Sequence, residues 1–366
     1  MKLSERRVLV GMSGGVDSSA VAALLVEQGF EVIGITIKTY DYELTGGNVG
    51  NESSCCSLDG INDARRVALY LGIPHYVVDF TLPFKSRVID YFTAEYMAGR
   101  TPNPCVQCNR HIKWGELLRK ADMVGAAYIA TGHYARIRRD ETSCRYILSR
   151  GRDKRKDQSY ALWALTQEQL SRTLFPLAEW TKEETRSYLE QKGIPIARKH
   201  ESFELCFVPD NDYRRFLSEV APESKETKGP ILRNGQVIGE HQGYPFYTIG
   251  QRRGLGLSSP EPLYVLDILP EHHAVVVGTE DELYHRRLIA ESVNTIKYSS
   301  IEQPRDFEVK IRYKDDGAPA KCWISEDGIL QVDFHFPRRA ITPGQSAVVY
   351  EGDDVVAGGI ITGRFD

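Results

Sequence analysis

Two sets of residues have types and spacings that could do chemistry. The first is Met12-Ser13-Gly14-Gly15-Val16-Asp17-Ser18-Ser19, preceded by Gly11. Glycine amides, two hydroxyls and the start of a helix can together cradle phosphate, because their N–H and O–H groups converge on an anion. No lysine follows the last glycine, so this is not a Walker A loop, and the G-x-G-x-x-G spacing of a dinucleotide fold is missing. The second set is cysteine. Cys105-Val106-Gln107-Cys108 is a C-x-x-C motif, and Cys206 stands in Glu201-Ser202-Phe203-Glu204-Leu205-Cys206-Phe207. A helix is predicted from Arg110 to Val124, with Trp114, Leu117, Leu118 and Ala121 as its apolar face. A thiol just before a helix has its pKa lowered by the macrodipole, which makes Cys108 a candidate thiolate. A redox pair, a structural zinc site and a catalytic or cluster-binding pair all use such spacing. The late position in the chain disfavours the first, and the lack of a second C-x-x-C disfavours the second. Cys206 alone, among apolar neighbours, reads more readily as a core residue than as a functional one.

These residues need a scaffold, and the first half of the chain supplies one. A strand over Arg7 to Val10 enters the glycine-rich turn, and a helix over Asp17 to Gln28 leaves it, stopped by Gly29. A strand over Glu31 to Ile37 follows. After a Gly, Asn and Ser-rich loop with Cys55 and Cys56, Ala64, Val67, Ala68 and Leu71 mark a helix. A strand over His75 to Asp79, helices over Phe84 to Met97 and Arg110 to Val124, and a strand over Tyr128 to Thr131 continue the alternation. That order predicts an α/β domain with a parallel sheet. Thr181-Lys182-Glu183-Glu184 reads as a capping box. Ala221 to Pro230 is the best linker candidate, and beyond it the pattern turns to period-two strands with turns at Asn234-Gly235, Asp327-Gly328 and Pro343-Gly344. The C-terminal third is expected to be a small β barrel or sandwich. Cys144 and Cys322 lie in strand-like stretches and are expected to be packing residues.

The 366 residues exceed one typical domain of roughly 150, giving an expectation of two or three. Seven cysteines, an odd number with no secretion signal, argue for reduced thiols and a cytoplasmic location. No apolar run approaches a membrane span, so no membrane partner is expected. The net charge of -4 excludes a uniformly basic surface. From Arg100 to Lys156, however, 14 Lys and Arg face 5 Asp and Glu, a local +9 that leaves -13 for the remainder. Arg145, Arg150, Arg152, Lys154, Arg155 and Lys156 form a cluster sufficient for RNA phosphate contacts, or an ordinary solvated face.

The Ser-Gly-Gly-x-Asp-Ser order after a strand resembles the loop of ATP pyrophosphatases, which cleave ATP between its α and β phosphates. Further segments extend the likeness over nearly the whole chain. They are Arg100-Thr101-Pro102-Asn103-Pro104 with Cys108-Asn109, Ala130-Thr131-Gly132-His133-Tyr134-Ala135-Arg136, Lys156-Asp157-Gln158-Ser159-Tyr160, Gly239-Glu240-His241-Gln242-Gly243, Gly250 to Gly256 and Thr342 to Val348. The chain resembles the tRNA-specific 2-thiouridylases, the MnmA/TrmU family of the ATP-pyrophosphatase superfamily. The resemblance implies an adenine nucleotide alpha hydrolase-like domain over 1–215, a small connecting domain over 216–282 and a C-terminal β-barrel over 283–366.

It also implies ATP-dependent sulfur insertion at C2 of the wobble uridine of tRNAs for Lys, Glu and Gln. ATP with Mg2+ would lie on Gly11, Met12, Ser13, Gly14, Gly15, Val16, Asp17 and Ser18, with Ile37 and Gly132 lining the adenosine pocket. Asp17 would hold the magnesium, or serve only as a first-turn helix carboxylate. Cys206 corresponds to the persulfide carrier and Cys108 to its partner, the two ending in a disulfide. Asn103, Pro104 and Cys105 match the segment that meets the target base. His133, Lys156, Asp157, Gln158, Arg312, Tyr313 and Gln345 match tRNA-contacting positions. The implied sulfur source is a persulfide donor such as a cysteine desulfurase or a relay protein.

The better-known form of the family has Asp where this chain has Cys105, and Ser-Thr-Gly-Ile-Cys where it has Ser202-Phe203-Glu204-Leu205-Cys206. The extra thiol creates a trio, Cys105, Cys108 and Cys206, that could hold a [4Fe-4S] cluster with one iron open to sulfide. Another ATP-pyrophosphatase enzyme, such as an argininosuccinate synthase or an amide ligase, would not need these cysteines. An RNA-binding iron-sulfur or zinc protein would not need the nucleotide loop.

Overall fold

A computed structural model describes residues 6–39, 58–194, 196–197, 199, 205–208 and 210–366. Cys55, Cys56 and Ser202 to Glu204 lie outside the described residues. The chain divides into two compact units, one comprising Met1–Val88, Cys105–Asn211 and Asp353–Val355, the other Ile89–Pro104, Asp212–Gly352 and Val356–Asp366.

In the first unit, strand β1 (Arg7–Gly11) is central and helix α1 (Val16–Glu27) follows it directly. Strand β2 (Glu31–Lys38), helix α2 (Leu58–Leu71), β3 (His75–Asp79) and β4 (Tyr128–Ala130) come next in the sheet sequence. A hairpin of β5 (Ala135–Arg139) and β6 (Tyr146–Arg150) lies apart from that sheet, and β7 (Thr173–Leu174) completes it. The sheet order is β3-β2-β1-β4-β7, and every pairing is parallel. Val8, Leu9 and Val10 are fully buried because helices cover both faces of a parallel sheet. Consecutive strands run outward from β1 to β3, and β4 then starts on the opposite side of β1. This reversal leaves a crevice beyond the carboxyl ends of β1 and β4, the place where open α/β sheets bind ligands.

One boundary departs from expectation in a way that matters. The helix expected from Arg110 begins at Pro104. It is α-helical over Pro104–Gln107, π-wound over Cys108–Glu116, and α-helical again over Leu117–Met123. Both cysteines of the C-x-x-C are therefore inside the helical run, Cys105 in its first turn and Cys108 a turn later. Pro104, with no N–H to satisfy and φ already suited to a helix, favours that earlier start. The helix expected from Phe84 to Met97 likewise starts early, at Thr81, and has a π segment at Lys85–Ile89. The capping box forms as expected: Thr181 Oγ1 accepts from Glu184 N and the Glu184 side chain from Thr181 N, opening the helix Lys182–Gln191.

In the second unit, Gly229–Arg233 and Gln236–His241 form a hairpin around Asn234 (φ +49°) and Gly235 (φ +76°), the two left-handed residues that a tight turn requires. Six strands close a barrel in the order Tyr284–Thr295, Leu330–Arg339, Ala318–Ile324, Arg305–Lys310, Ser346–Glu351 and Asp354–Phe365, the last pairing with the first. Alternation fills its core: Ala318, Ala320 and Cys322 point in while Pro319 and Lys321 point out. Burial pushes the Cys322 thiol far up and keeps it inert. Two expectations fail. Ala221 to Pro230 is not a loose linker: it forms a 3₁₀ turn at Pro222–Glu226 with Ala221, Ser224 and Thr227 buried. Cys144 is not packed; it sits exposed in the β5–β6 turn at φ +56°.

Candidate active site

The glycine-rich loop is held open by its own backbone. Gly14 has φ +70°, and a Cβ there would stand 2.0 Å from the Gly60 carbonyl oxygen of α2, so only glycine fits. Ser18 Oγ accepts from Ser13 N (3.2 Å) and lies 3.3 Å from Ser13 Oγ, while Ser18 Oγ and Ser19 Oγ both donate to Gly15 O. Gly132, just past β4, is pressed against α1, where a Cβ would lie 2.8 Å from Asp17 Cβ and 2.9 Å from Ser18 N. The ends of β1 and β4 thus meet at the start of α1.

Asp17 is engaged from behind. Its Oδ1 accepts from Lys182 Nζ (2.6 Å) and from Tyr134 Oη (2.8 Å), and Thr185 Oγ1 lies 3.0 Å from Tyr134 Oη. Lys182 is only 6% exposed, and such a buried ammonium needs this carboxylate. Lys199 Nζ donates to the Gly14 carbonyl (3.2 Å) and pairs with Asp63 Oδ2 (2.6 Å). It ties the segment that leads to Cys206 onto the loop. Lys182 and Lys199 escaped sequence reasoning because neither lies at a telling distance from the loop; Lys182 was legible only as a capping-box neighbour.

A cavity of ≈ 220 Å³ opens at this end of the sheet. Its lining brings together Gly11 to Ser13, Asp17, Ser18 and Ile37 with Gly132, His133 and Gln158, and with both Cys108 and Cys206. The two cysteines are 98 positions apart in the chain and share one wall system; both are half-buried. Phe207 packs edge-on against Phe84, which also lines the cavity, and so anchors the turn bearing Cys206. Cys105 is exposed and is not among the lining residues.

His133, expected among RNA-contacting positions, is buried at 6% exposure between Trp114 and Phe175. Burial, and secondarily the Lys113 ammonium, hold its pKa well below the ordinary histidine value, so it is neutral. Lys113 Nζ approaches His133 Nε2 (3.5 Å); an ammonium can only donate, so Nε2 accepts and Nδ1–H donates to Thr131 Oγ1 (2.7 Å).

The other expected RNA positions are placed as follows. Asp157 accepts from Gly151 N, Ser159 N and Ser159 Oγ, and Gln158 Oε1 accepts from Tyr134 N; these two residues knit the cavity rim, and Lys156 beside them is half-buried. In the second unit, Gln345 Nε2 donates to Thr101 O (2.9 Å) and Pro102 O (3.2 Å), and Gly344 (φ +91°) admits the close approach of Thr101. That clasp sets the chain immediately before Asn103 and Pro104. Arg312 is half-buried and Tyr313 is 44% exposed. The basic run is less free than its charge count: Arg152 pairs with Glu184, Lys154 with Asp353, and Arg155 with Asp153 and Glu183. Exposed pairs of this kind are worth about 0–1 kcal/mol each, so a polyanion can displace them.

For a cluster the fit fails. Among the described residues no three His, Cys, Asp or Glu side chains converge on a metal position, and Cys105 stands outside the cavity that holds the other two thiols. For nucleotide-bound magnesium the lining offers Asp17, which suits an ion held by one carboxylate plus phosphates. No described helix is long and apolar enough to cross a membrane.

Comparison with known proteins matches three family models in succession: a tRNA methyl transferase HUP domain over residues 6–210, a tRNA methyl transferase PRC-barrel domain over 214–279, and an aminomethyltransferase beta-barrel domain over 285–361. The chain is 52% identical over 359 residues to the tRNA-specific 2-thiouridylase MnmA of Salinibacter ruber, covering 97% of this chain and 94% of that protein. It is 52% identical to the protein of the same name from Amoebophilus asiaticus, over 99% of this chain and 97% of that one. With the counterpart from Heliobacterium modesticaldum it shares 51% identity over 98% and 93%.

Proposed function

The chain belongs to the tRNA-specific 2-thiouridylase family, and from that premise we propose how its own residues carry out an ATP-dependent sulfur transfer to tRNA. The enzyme is a tRNA sulfurtransferase that forms 2-thiouridine; the substrate position is the wobble uridine of tRNAs for Lys, Glu and Gln. ATP lies on Gly11 to Ser18 with Ile37 and Gly132 at its adenosine, as its magnesium complex. The uridine O2 attacks the α-phosphorus, pyrophosphate leaves, and C2 becomes electrophilic. The Gly14 and Gly15 amides and the Ser13 and Ser18 hydroxyls suit a departing pyrophosphate, whose charge they meet without a moving lysine.

Cys206 receives a sulfane sulfur from a persulfide donor. The Cys108 thiolate attacks the Cys206 sulfur, which forms a Cys108–Cys206 disulfide and releases hydrosulfide beside C2. Hydrosulfide adds to C2, the C2–O2 bond breaks, and AMP departs carrying the former O2. A dithiol reductant then restores both thiols. The observation that bears most of this reading is the shared cavity of Cys108, Cys206 and the phosphate loop. The cluster route lacks a converging trio and no step is assigned to it. Asn103, Pro104 and Cys105 are assigned to the target base, and Lys156, Arg312 and Tyr313 to the tRNA. The nucleotide-binding, connecting and barrel parts are assigned to 1–215, 216–282 and 283–366.

The test is nucleoside mass spectrometry of tRNA incubated with the protein, ATP and a persulfide donor. Wild type should form 2-thiouridine, and Cys108→Ser and Cys206→Ser should each lose it while retaining ATP binding. Full activity in either variant refutes the sulfur route, and methylated rather than thiolated uridine refutes the reaction class.

A further inference from the structure

The helical run bearing Cys108 contributes Cys108, Ile112, Lys113 and Leu117 to the cavity wall. Residues Cys108–Glu116 are π-wound. At about 4.4 residues per turn, these four positions fall within an arc of about 80°. At the about 3.6 residues per turn of an α-helix, Lys113 would be swung about 140° from Cys108. The π winding is therefore what turns both the thiol and the ammonium into the cavity. A Cβ at Gly11 would meet Leu117 Cδ2 at 3.7 Å, so the Leu117 end of this face abuts the start of the nucleotide loop. Cys108 lies about two turns away along the same face, and Lys113 stands between them.

Among the described residues, the charge at this point is also unbalanced. Of the ionic residues lining the cavity, Asp17 is matched by Lys182. Among the described residues, Lys113 has a neutral imidazole, His133, as its polar partner, and no carboxylate opposes it. Among the described residues this half-buried ammonium faces the cavity with no carboxylate beside it, which suits it to receive an anion.

We propose that Lys113 is a catalytic residue of the sulfur-transfer step, binding a phosphoryl oxygen of the adenylated uridine and neutralising the charge that grows on AMP as it departs. This inference rests on the adenylation reading above. In that step sulfur forms its bond to C2 and its proton passes to solvent. The electron pair of the C2–O2 bond stays with O2, which leaves as a phosphate oxygen, so the phosphoryl group goes from one negative charge to two. A cation held between the phosphate end and the sulfur end meets that charge where it develops, and the neutral His133 orients it without quenching it.

First-turnover measurements with tRNA, ATP and a persulfide donor separate this from other roles. In Lys113→Met, formation of AMP and 2-thiouridine should slow by about 10²-fold, with pyrophosphate release within about threefold of wild type. Lys113→Arg should recover most of the rate, and Lys113→Gln serves as the neutral variant if Lys113→Met does not fold. Wild-type thiolation rates in both neutral variants overturn the proposal, as does an equal loss of pyrophosphate release with a raised KM for ATP. If wild type releases AMP and forms 2-thiouridine without prior pyrophosphate release, the adenylation reading fails instead.

Discussion

The cavity at the end of the parallel sheet and the six-stranded barrel are built by opposite means. The barrel is regular: strands alternate, small and branched residues fill the inside, and its one buried cysteine is inert. The cavity is irregular, with a left-handed glycine against a carbonyl, a nine-residue π segment, a buried lysine on a half-buried carboxylate and a neutral buried histidine. Regularity stabilises by area; irregularity aims individual groups and costs strain. Cysteine shows the contrast in one residue type. Cys322 is sealed by packing, whereas Cys108 and Cys206 are half-buried on a cavity wall.

Phe334→Ala probes the barrel half of this contrast. A fully buried aromatic in its core should cost about 3–5 kcal/mol of stability, seen as a lower urea midpoint, with ATP affinity unchanged in the folded protein. Lost nucleotide affinity in folded Phe334→Ala would break the division of labour. Gly14→Ala probes the other half. Its left-handed φ and the Gly60 carbonyl impose about 1–3 kcal/mol of local strain. Isothermal titration should show ATP bound about 5 to 150-fold more weakly if that strain falls on the bound loop, with little change in the barrel's unfolding.

Histidine gives the smallest effect. An unfolded histidine takes up a proton near its ordinary value, whereas buried His133 takes one up only at much lower pH. The unfolded state therefore binds more protons in that window, and stability is lost as pH falls below about 6.5, by up to about 1.4 kcal/mol per pH unit for this residue. His75, His111 and His241 are shifted in the same direction and add to the slope. Urea midpoints from about pH 7.5 to about pH 5.5 should show a shallower decline in His133→Asn; an unchanged slope would place the titration elsewhere.

Local signals made much of this molecule legible. The order of strands and helices, the Asn234-Gly235 turn and the Thr181 capping box depend on residues within a few positions of each other, and all formed. The glycine-rich turn between β1 and α1 was equally legible, since its geometry depends on glycines at the start of one helix. The expected helix start at Arg110 was late because the C-x-x-C drew the boundary, whereas Pro104 sets it. Cys144 was misjudged because a strand-like neighbourhood does not reveal a turn.

Residue types and short-range spacing by themselves determined the parallel α/β domain, the β-rich end, the glycine-rich turn and the candidate thiols. Only the tertiary structure decided which thiols line one cavity, because Cys105 and Cys108 are neighbours in the chain yet Cys108 shares its cavity with the distant Cys206. It also decided where charge stands. Lys182, Lys199 and Lys113 reach the site through a helix N-terminus, a returning segment and a π turn, and no spacing in the chain encodes those approaches. Periodicity reports which face of an element is buried; it does not report which element that face will meet, and the chemistry of this site lies in those meetings.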